Sequence, residues 1–331
     1  MQNRKIMRYR FAFLYIGILF SLVAQGQEGN SVFNFLKLPT SSHAIALGGQ
    51  NISLIEDDPS LIFQNPALLS SVSNNSMNLN FMTYMRGSKT GSASFARIAG
   101  KRGTWGAGVQ FVGYGSMKET SVTGEIIGSM KALDMAVSGM YSYNLSDHWV
   151  GGATGKVIYS KYADYTSCGL AVDLGLNYFD EDKDFSISAV AANMGGQVKA
   201  FGNEHERLPF NLQLGVSKGL GHAPIRINIT MVDLTRWKSK YYYHVSKSPK
   251  GSSIFFNHFD LGIDIIPISQ FYVAAGYNFR RAYEMKAAGS SHAAGLTFGA
   301  GLNIKKIKFG VAYAKYHVSS PTLAFSASYN L

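Results

Sequence analysis

The sequence predicts an all-β protein, a 14-stranded antiparallel transmembrane β-barrel with an N-terminal segment folded into its lumen as a plug. Three observations predict this fold. An export signal opens the chain, apolar residues alternate with small or polar ones along fourteen segments, and short connections alternate with long ones. The composition agrees, because only 15% of the 331 residues are charged while 13% are aromatic. Soluble domains average about 25% charged residues.

Residues 1–26 have the pattern of a secretory signal peptide. Four cations in the first ten residues precede an apolar run from Phe11 to Leu22, and Ala24 and Gly26 supply the small residues of a cleavage site. The run is shorter than the roughly 20 residues that a transmembrane helix needs. A retained N-terminal anchor is the alternative. Because four of the charges behind the net +11 leave with this leader, the basic balance does not indicate a nucleic-acid-binding surface, and we expect no nucleic acid partner.

Residues 27–76 do not alternate and are predicted to form the plug. Ala46-Leu47-Gly48-Gly49 is typical of a turn, and Asp57-Asp58-Pro59 places a cap and an N1 proline before a short helix from Ser60. Asn65-Pro66-Ala67 repeats this arrangement, with Asn65 as cap. The segment is rich in apolar residues, so a free periplasmic tail is the less favoured alternative. The predicted structural motif of the plug comprises Leu47, Gly48, Gly49, Asp57, Asp58, Pro59, Asn65, Pro66 and Ala67.

Residues 77–331 are predicted to form the barrel. The apolar face of each alternating segment is almost uninterrupted, whereas the opposite face carries glycine, alanine and polar residues such as Asp173, Arg226 and Asp264. A soluble sandwich shares this period, but the length of the segments, their aromatic ends and the export signal favour strands that cross a bilayer. The predicted strands are 77–86, 91–99, 103–113, 132–144, 149–161, 167–178, 184–194, 208–218, 224–234, 258–267, 270–280, 292–304, 306–316 and 321–331.

The connections between these segments are an independent test of the barrel. The connections at 100–102, 145–148, 179–183, 219–223, 268–269 and 305 are short, whereas those at 114–131, 195–207, 235–257 and 281–291 are long. Outer-membrane barrels have short turns on the periplasmic side and longer loops outside. We therefore predict an outer-membrane protein with periplasmic ends and extracellular long loops, and a last strand that pairs with the first to satisfy every backbone group in lipid.

Motifs that suggest catalysis lie in the wrong context. The nucleophile-elbow pattern at 215–219 ends a strand with no helix after it, and the glycine-rich stretch 151–156 lacks the spacing and hydroxyl of a phosphate loop. Glu204-His205-Glu206 are adjacent loop residues that cannot readily converge on a metal, and Cys168 has no partner. We predict no enzyme, no catalytic residue, no metal and no cofactor.

The longest predicted loop combines aromatic and basic residues. Such residues mark protein interfaces, or they form an aromatic girdle whose cations contact lipopolysaccharide phosphates, and both interpretations stay open. The candidate partner-binding residues are Arg236, Trp237, Tyr241, Tyr242, Tyr243 and His244.

The N-terminal motifs resemble those of a known family. Phe35-Leu36-Lys37-Leu38-Pro39, Ala46-Leu47-Gly48-Gly49, Asp57-Asp58-Pro59-Ser60-Leu61 and Asn65-Pro66-Ala67-Leu68-Leu69 resemble the signature of the PorQ family, outer-membrane components of the type IX secretion system of Bacteroidetes. The wider PorV/PorQ group is similar to FadL-type fatty-acid transporters, which have fourteen strands, an N-terminal hatch and an Asn-Pro-Ala motif. The resemblance covers the mature chain in layout.

The resemblance implies a non-enzymatic subunit of the type IX system. This subunit is a platform that anchors attachment-complex partners, PorZ first and with it PorU and PorV, for cargo secretion and attachment to lipopolysaccharide on the cell surface. The alternative function is a FadL-like channel for uptake of fatty acids or other hydrophobic small molecules. That alternative predicts an apolar pocket in the lumen and a gap in the wall, whereas the polar residues predicted to face inward, including Asp260 and Arg280, favour the platform.

Overall fold

The computed structural model describes residues 31–85, 87–243, 250–289, 291–318 and 320–331. The predicted signal peptide, residues 1–26, lies outside the described residues, as does His244 of the predicted partner-binding loop. Among the described helices, none has the length and apolar character that crossing a membrane requires.

Fourteen antiparallel strands close into one barrel, as predicted. Each strand pairs with its neighbours in the chain, and β1 pairs with β14 over seven positions from Ser76↔Asn330 to Met82↔Ala324. The sheet therefore has no free edge along its wall. The strands are β1 Ser76–Thr83, β2 Lys89–Ala99, β3 Gly103–Thr120, β4 Ile126–Asn144, β5 Trp149–Tyr162, β6 Tyr165–Asp180, β7 Phe185–Lys199, β8 Asn211–Gly219, β9 Ile225–Met231, β10 Phe259–Ile268, β11 Phe271–Asn278, β12 Leu296–Ile304, β13 Ile307–His317 and β14 Ser320–Asn330.

The two faces of the wall differ as the alternation predicts. Outward-facing side chains are large and apolar, and they stay exposed, as for Leu170, Leu174 and Phe309. Inward-facing side chains are small or polar and buried, including Asp173, Asn177, Asn211, Gln213, Asn228, Thr230, Asp260 and Asp264. The prediction for Arg280 was wrong, because β11 ends at Asn278 and Arg280 lies on a helix that follows it.

The barrel has two unlike ends. At the short-turn end, β1 begins beside the end of β14, and short turns join the other strands in pairs, as at Lys305 and Lys306. At the long-loop end lie the connections 200–210, 232–258 and 279–295. The last two contain helices that the sequence did not predict, namely α2 Gly251–Phe256 and α3 Phe279–Ala287, with 3₁₀ helices Ser239–Tyr241 and His292–Gly295.

The connection predicted as a loop at 114–131 is mostly strand, which corrects that prediction. β3 continues to Thr120 and β4 starts at Ile126, so these residues form a β-hairpin. Among the described strands, β3 pairs with β2 only as far as Gly113, and β4 pairs with β5 only from Ala132. The hairpin therefore extends past its neighbours at the long-loop end. The predicted loop 195–207 is also shorter, because β7 runs to Lys199.

The N-terminal segment, residues 31–75, packs against the inner face of the wall. It begins at the long-loop end, where the Val32 N–H donates to the Arg207 carbonyl at 3.0 Å, and it enters β1 at the short-turn end. None of the residues 41–69 is exposed. The segment contains α1 Ser42–Ala46 and the 3₁₀ helices Asn34–Lys37, Leu61–Phe63 and Pro66–Ser71.

Candidate functional site

Glycines of the wall accommodate the N-terminal segment. At ten inward positions a Cβ atom would come within 3.4 Å of an atom of the segment, so glycine sets how closely the two can approach. The small inward residues noted in the sequence thus match particular side chains and turns of the segment. These positions are Gly106, Gly108, Gly152, Gly169, Gly175, Gly215, Gly262, Gly276, Gly299 and Gly310.

The Asn-Pro-Ala motif forms a turn that lies directly on the wall. The Asn65 carboxamide oxygen accepts from the Ala67 N–H at 2.9 Å, and the carboxamide nitrogen donates to the Ile52 carbonyl at 2.7 Å. Asn65 is the N-cap and Pro66 the first residue of the 3₁₀ helix. A Cβ at Gly152 would lie 2.4 Å from the Ala67 nitrogen. A Cβ at Gly175 would lie 2.1 Å from the Asn65 oxygen.

The Leu-Gly-Gly motif ends α1 against β10 and β11. Gly48 and Gly49 have φ values of +111° and +125°, a region that side-chain-bearing residues rarely adopt. A Cβ at Gly276 would lie 2.3 Å from the Gly48 nitrogen. The Arg281 guanidinium donates to the Gly48 carbonyl at 3.3 Å, which ties this turn to α3 at the long-loop end.

The Asp-Asp-Pro motif binds the segment to the seam where the first and last strands meet. The Asp57 carboxylate accepts from the Lys308 ammonium at 2.6 Å and from the Asn330 side chain at 2.9 Å. The Asp58 carboxylate accepts from the Ser60 N–H at 2.9 Å. The helix that follows begins at Leu61 with Ser60 in the N-cap position, two residues after the predicted N1 proline. The two bonds of Asp57, to Lys308 and Asn330, join the segment to β13 and β14.

A buried charge network holds the middle of the segment to β9 and β10. The two ring nitrogens of His43 lie 2.7 Å from a Glu56 oxygen and 2.6 Å from an Asp264 oxygen. An ionised carboxylate can only accept, so both nitrogens donate and the ring is an imidazolium. Arg226 bonds to both carboxylates, Asp264 at 3.1 Å, which balances two cations with two anions. Tyr272 stacks on His43 with ring centroids 3.8 Å apart.

At the long-loop end, Asp233 joins three elements. Its carboxylate pairs with Lys37 of the segment at 3.0 Å, with Arg280 of α3 at 2.6 Å and with Arg236 of its own loop at 3.8 Å. Burial raises the pKa of Asp233, but the charges of Lys37, Arg280 and Arg236 outweigh burial and lower this pKa to about 2. The long loop is thus fixed to the N-terminal segment and to α3 by one carboxylate.

The anchoring of the long loop is expected to depend on pH below about 4. The folded pKa of Asp233 lies below its unfolded value of about 3.9, so its stabilisation is complete above that value and is lost as the pH falls through about 2. Fluorescence of Trp237, in a variant without the other two tryptophans, checks this. Asp233→Asn should lack the transition while keeping any change caused by His258, whose ring centroid lies 4.0 Å from that of Trp237. An identical pH profile in that variant contradicts the assignment.

The predicted partner-binding residues divide into two groups. The Tyr242 hydroxyl is buried; it donates to the Arg236 carbonyl at 2.9 Å and lies 3.0 Å from a ring nitrogen of His258. Burial lowers the pKa of His258. Trp237 and Tyr243 are exposed, with 45% and 56% of their surface accessible. Tyr242 therefore has a structural role in the loop, whereas Trp237 and Tyr243 are accessible to a partner.

An apolar cluster fills the lumen near the long-loop end. The rings of Phe33 and Phe35 pack there against Leu208 and Tyr114, and a Cβ at Gly169 would lie 2.7 Å from the Phe33 ring. Phe33 has φ +59°, a left-handed conformation that bulky residues rarely adopt outside constrained sites. We call this the upper-lumen cluster, comprising Val32, Phe33, Phe35, Val112, Ala136, Ile158, Ala171 and Leu208, with Leu36, Leu38, Tyr114 and Phe201 at its border.

Hydrogen-bonded polar side chains of the wall lie beside the upper-lumen cluster. The Asp134 carboxylate accepts from the hydroxyls of Tyr114 at 2.7 Å, of Tyr162 at 2.8 Å and of Ser160. The Tyr162 ring packs on Phe201 with centroids 5.0 Å apart. The Tyr114 ring thus borders the upper-lumen cluster, while the hydroxyls of both tyrosines are held by Asp134.

The discounted catalytic motifs have ordinary places in the barrel. Residues 215–219 end β8, residues 151–156 lie within β5, and Cys168 is a half-buried thiol of β6. Glu204, His205 and Glu206 are exposed in the connection between β7 and β8. Across the described ranges, no group of three or more histidine, cysteine or acidic side chains could hold a metal ion.

Several solved structures are similar to this chain in fold. The toluene transporter TodX of Pseudomonas putida matches with a TM-score of 0.57 and 12% identity over 91% of this chain and 99% of that one. The monoaromatic hydrocarbon channel CymD matches with a TM-score of 0.55 and 12% identity over 90% and 98%. A FadL homologue of Pseudomonas aeruginosa matches with a TM-score of 0.53 and 10% identity over 88% and 98%.

No family model and no curated protein matches the sequence. At identities of 10% to 12%, the solved structures show a likeness of fold alone. The chain has the FadL-like fold of outer-membrane β-barrels.

Proposed function

We propose that the protein is an outer-membrane channel for small hydrophobic molecules, with the N-terminal segment as its plug. The observation that carries this proposal is the upper-lumen cluster, a buried aromatic surface near the long-loop end of a barrel with a FadL-like fold. Solved barrels of similar fold include a toluene transporter and a monoaromatic hydrocarbon channel. Long loops in such barrels face the cell exterior, so the cluster lies at the end of the lumen from which a molecule would enter.

Passage of a small hydrophobic molecule through the barrel requires the N-terminal segment to move. Every strand of the wall pairs with both neighbours, and the rings of Phe33 and Phe35 occupy the cluster. An aromatic molecule would take the place of one of these rings, because an apolar cavity of similar size accepts such ligands. The strained backbone of Phe33 lowers the cost of displacing the start of the segment.

Crystals soaked in 4-bromotoluene test this proposal through the anomalous signal of bromine. We expect a peak in the upper-lumen cluster of the unmodified protein and none in Leu208→Trp, whose indole fills the cluster. The control is Leu214→Trp, because Leu214 is 46% exposed on the outer face of β8. A bromine peak only on the outer face, or an equal peak in Leu208→Trp, contradicts a ligand site in the lumen.

A second function, the type IX secretion platform, is supported by the resemblance of the N-terminal motifs and by the extended β3–β4 hairpin. Val122, Ile126 and Ile127 are exposed near the hairpin tip, at 110%, 61% and 63%. Strand edges without a partner can bind an extended peptide. In this function the plug stays fixed, and PorZ, with PorU and PorV, docks at the long-loop end on the hairpin or on Trp237 and Tyr243.

Gene deletion separates the two functions. The platform requires that type IX cargo fails to be secreted and attached in the deletion strain, and that a gene with the hairpin tip shortened to a two-residue turn does not restore secretion. Normal secretion in the deletion strain excludes the platform. Co-purification adds a direct comparison, since large associated proteins favour the platform and bound hydrophobic molecules without partners favour the channel.

A further inference from the structure

A groove runs along the outer face of the wall near the seam of the barrel. It lies across β1 and β11–β14 and has a volume of about 510 Å³. Its floor consists of small residues, Ala300 and Ala327 on the outer face with Gly301 and Gly310 beside them. Among its sides are larger side chains, Leu79, Phe81, Phe271, Leu302, Phe309 and Phe325.

The strand register explains the depression. Ala327 of β14 pairs with Leu79 on one side and Phe309 on the other, and Ala300 of β12 pairs with Val311. Each of these two neighbouring outer rows therefore contains one alanine among larger side chains, and the two alanines leave the depression. Phe309 and Phe325 are 52% and 49% exposed, so their rings stand beside the floor rather than covering it. Such a groove in the lipid-facing band offers apolar contact to a chain lying along the wall.

Two cations lie at the end of the groove. The pair Leu302↔Phe309, which lines the groove, is followed by Asn303↔Lys308 and Ile304↔Ile307, and then by the turn Lys305-Lys306. Three residues of strand span about 10 Å. Lys308 pairs with Asp57 of the segment, whereas Lys305 and Lys306 are exposed and have no partner in the part of the chain that the structure describes.

The turn that carries these cations is held in place. The Asn330 N–H donates to the Lys306 carbonyl at 3.0 Å, which fastens the turn to the end of β14. Ile304 and Ile307, 52% and 40% exposed, continue the apolar outer face from the groove to the turn. The ammonium groups thus lie where the apolar band ends, at the level where lipid headgroups meet a barrel.

We propose that this groove and turn bind one anionic phospholipid, with an acyl chain in the groove and the phosphate at Lys305 and Lys306. The lipid-facing position selects an apolar occupant, and the two free cations select a negatively charged headgroup by charge complementarity. On the opposite side of the short-turn end, the β6–β7 turn is acidic, because it carries Asp180, Glu181, Asp182 and Asp184. The proposal does not depend on the transport or secretion function.

Native mass spectrometry of the full protein in detergent, titrated with dioleoyl phosphatidylglycerol, tests the proposal. We expect one tightly held lipid per barrel, and a roughly 25-fold weaker apparent affinity in Lys305→Gln/Lys306→Gln, since each cation near an anionic headgroup contributes about a factor of five. Ala327→Phe, which fills the groove on the lipid face, should also weaken binding. Neutral phosphatidylcholine should bind weakly to all variants.

Matched controls place the same changes elsewhere on the outer face. Lys101→Gln/Arg102→Gln removes two exposed cations from the β2–β3 turn, and Ala153→Phe adds a ring on β5. Both should retain the lipid. Equal losses in the controls and the test variants would falsify the site. So would retention of inorganic phosphate in place of the lipid, or a dimer that Ala327→Phe dissociates, because the occupant would then be a free anion or a second copy.

Discussion

Gly152→Ala is expected to displace the Asn-Pro-Ala turn and to lower the stability of the barrel. The added Cβ would lie 2.4 Å from both the Ala67 nitrogen and the Pro66 carbonyl carbon, closer than any Cβ normally approaches backbone. Backbone cannot rotate away as a flexible side chain can. Overpacking of a buried site costs about 1–3 kcal/mol, and here the wall and the turn must separate. We expect the free energy of unfolding in lipid vesicles to fall by about this amount or more.

Gly155→Ala is the matched control on the same strand, because a Cβ at Gly155 meets nothing within 4 Å. Alanine is better suited to a strand than glycine, so this control should be neutral or slightly stabilising. Any loss confined to Gly152→Ala therefore reports the contact with the segment. Equal stability of the two variants would show that the Asn-Pro-Ala turn does not rest on the wall in the folded protein.

Much of the barrel could be predicted because apolar side chains alternate with small or polar ones along its strands. A strand between lipid and a filled lumen alternates with period two, so outward residues such as Leu174 and inward residues such as Asp173 follow from the sequence. Local irregularities break this regularity. In β7 both Ala192 and Asn193 face Asp173, and the Asn193 N–H donates to that carboxylate at 2.7 Å. Such a bulge depends on a partner in another strand, which no single segment reveals.

The length of β3 and β4 shows a second limit. Strand beyond the bilayer has no lipid-facing stripe, and residues 114–131 are mostly exposed on both faces. The sequence therefore gives no alternation to distinguish a protruding hairpin from a loop. The helix α3 was missed for a related reason, because most of its stability comes from contacts such as Arg280 with Asp233 that join distant parts of the chain.

The candidate site was predictable where turns have strong local signals. Gly48, Gly49, Asn65 and Pro66 each impose a backbone geometry that is recognisable in the sequence, whereas the wall glycines that receive them were expected only as a class. His43 and Glu56 were not predicted. A histidine between small residues carries no local signal, and its partner Asp264 lies 221 positions away in the chain. Arg226, the partner of Glu56, lies 170 positions from it.

Asp264→Ala is expected to release the middle of the N-terminal segment. Asp264 is fully buried and balances His43 and Arg226, so its removal leaves two cations facing one carboxylate, Glu56. Removing one partner of a buried ion pair costs about 3–5 kcal/mol, since the remaining charge stays desolvated. The segment should then open transiently, and single barrels in planar bilayers should show larger and more frequent ion conductance than the unmodified protein.

Asp182→Asn, at an exposed position of the β6–β7 turn, is the control and should conduct as the unmodified protein does. If Asp264→Ala destabilises the barrel without raising its conductance, the charge network supports the wall alone, and the segment is held by its glycine contacts and by Asp57.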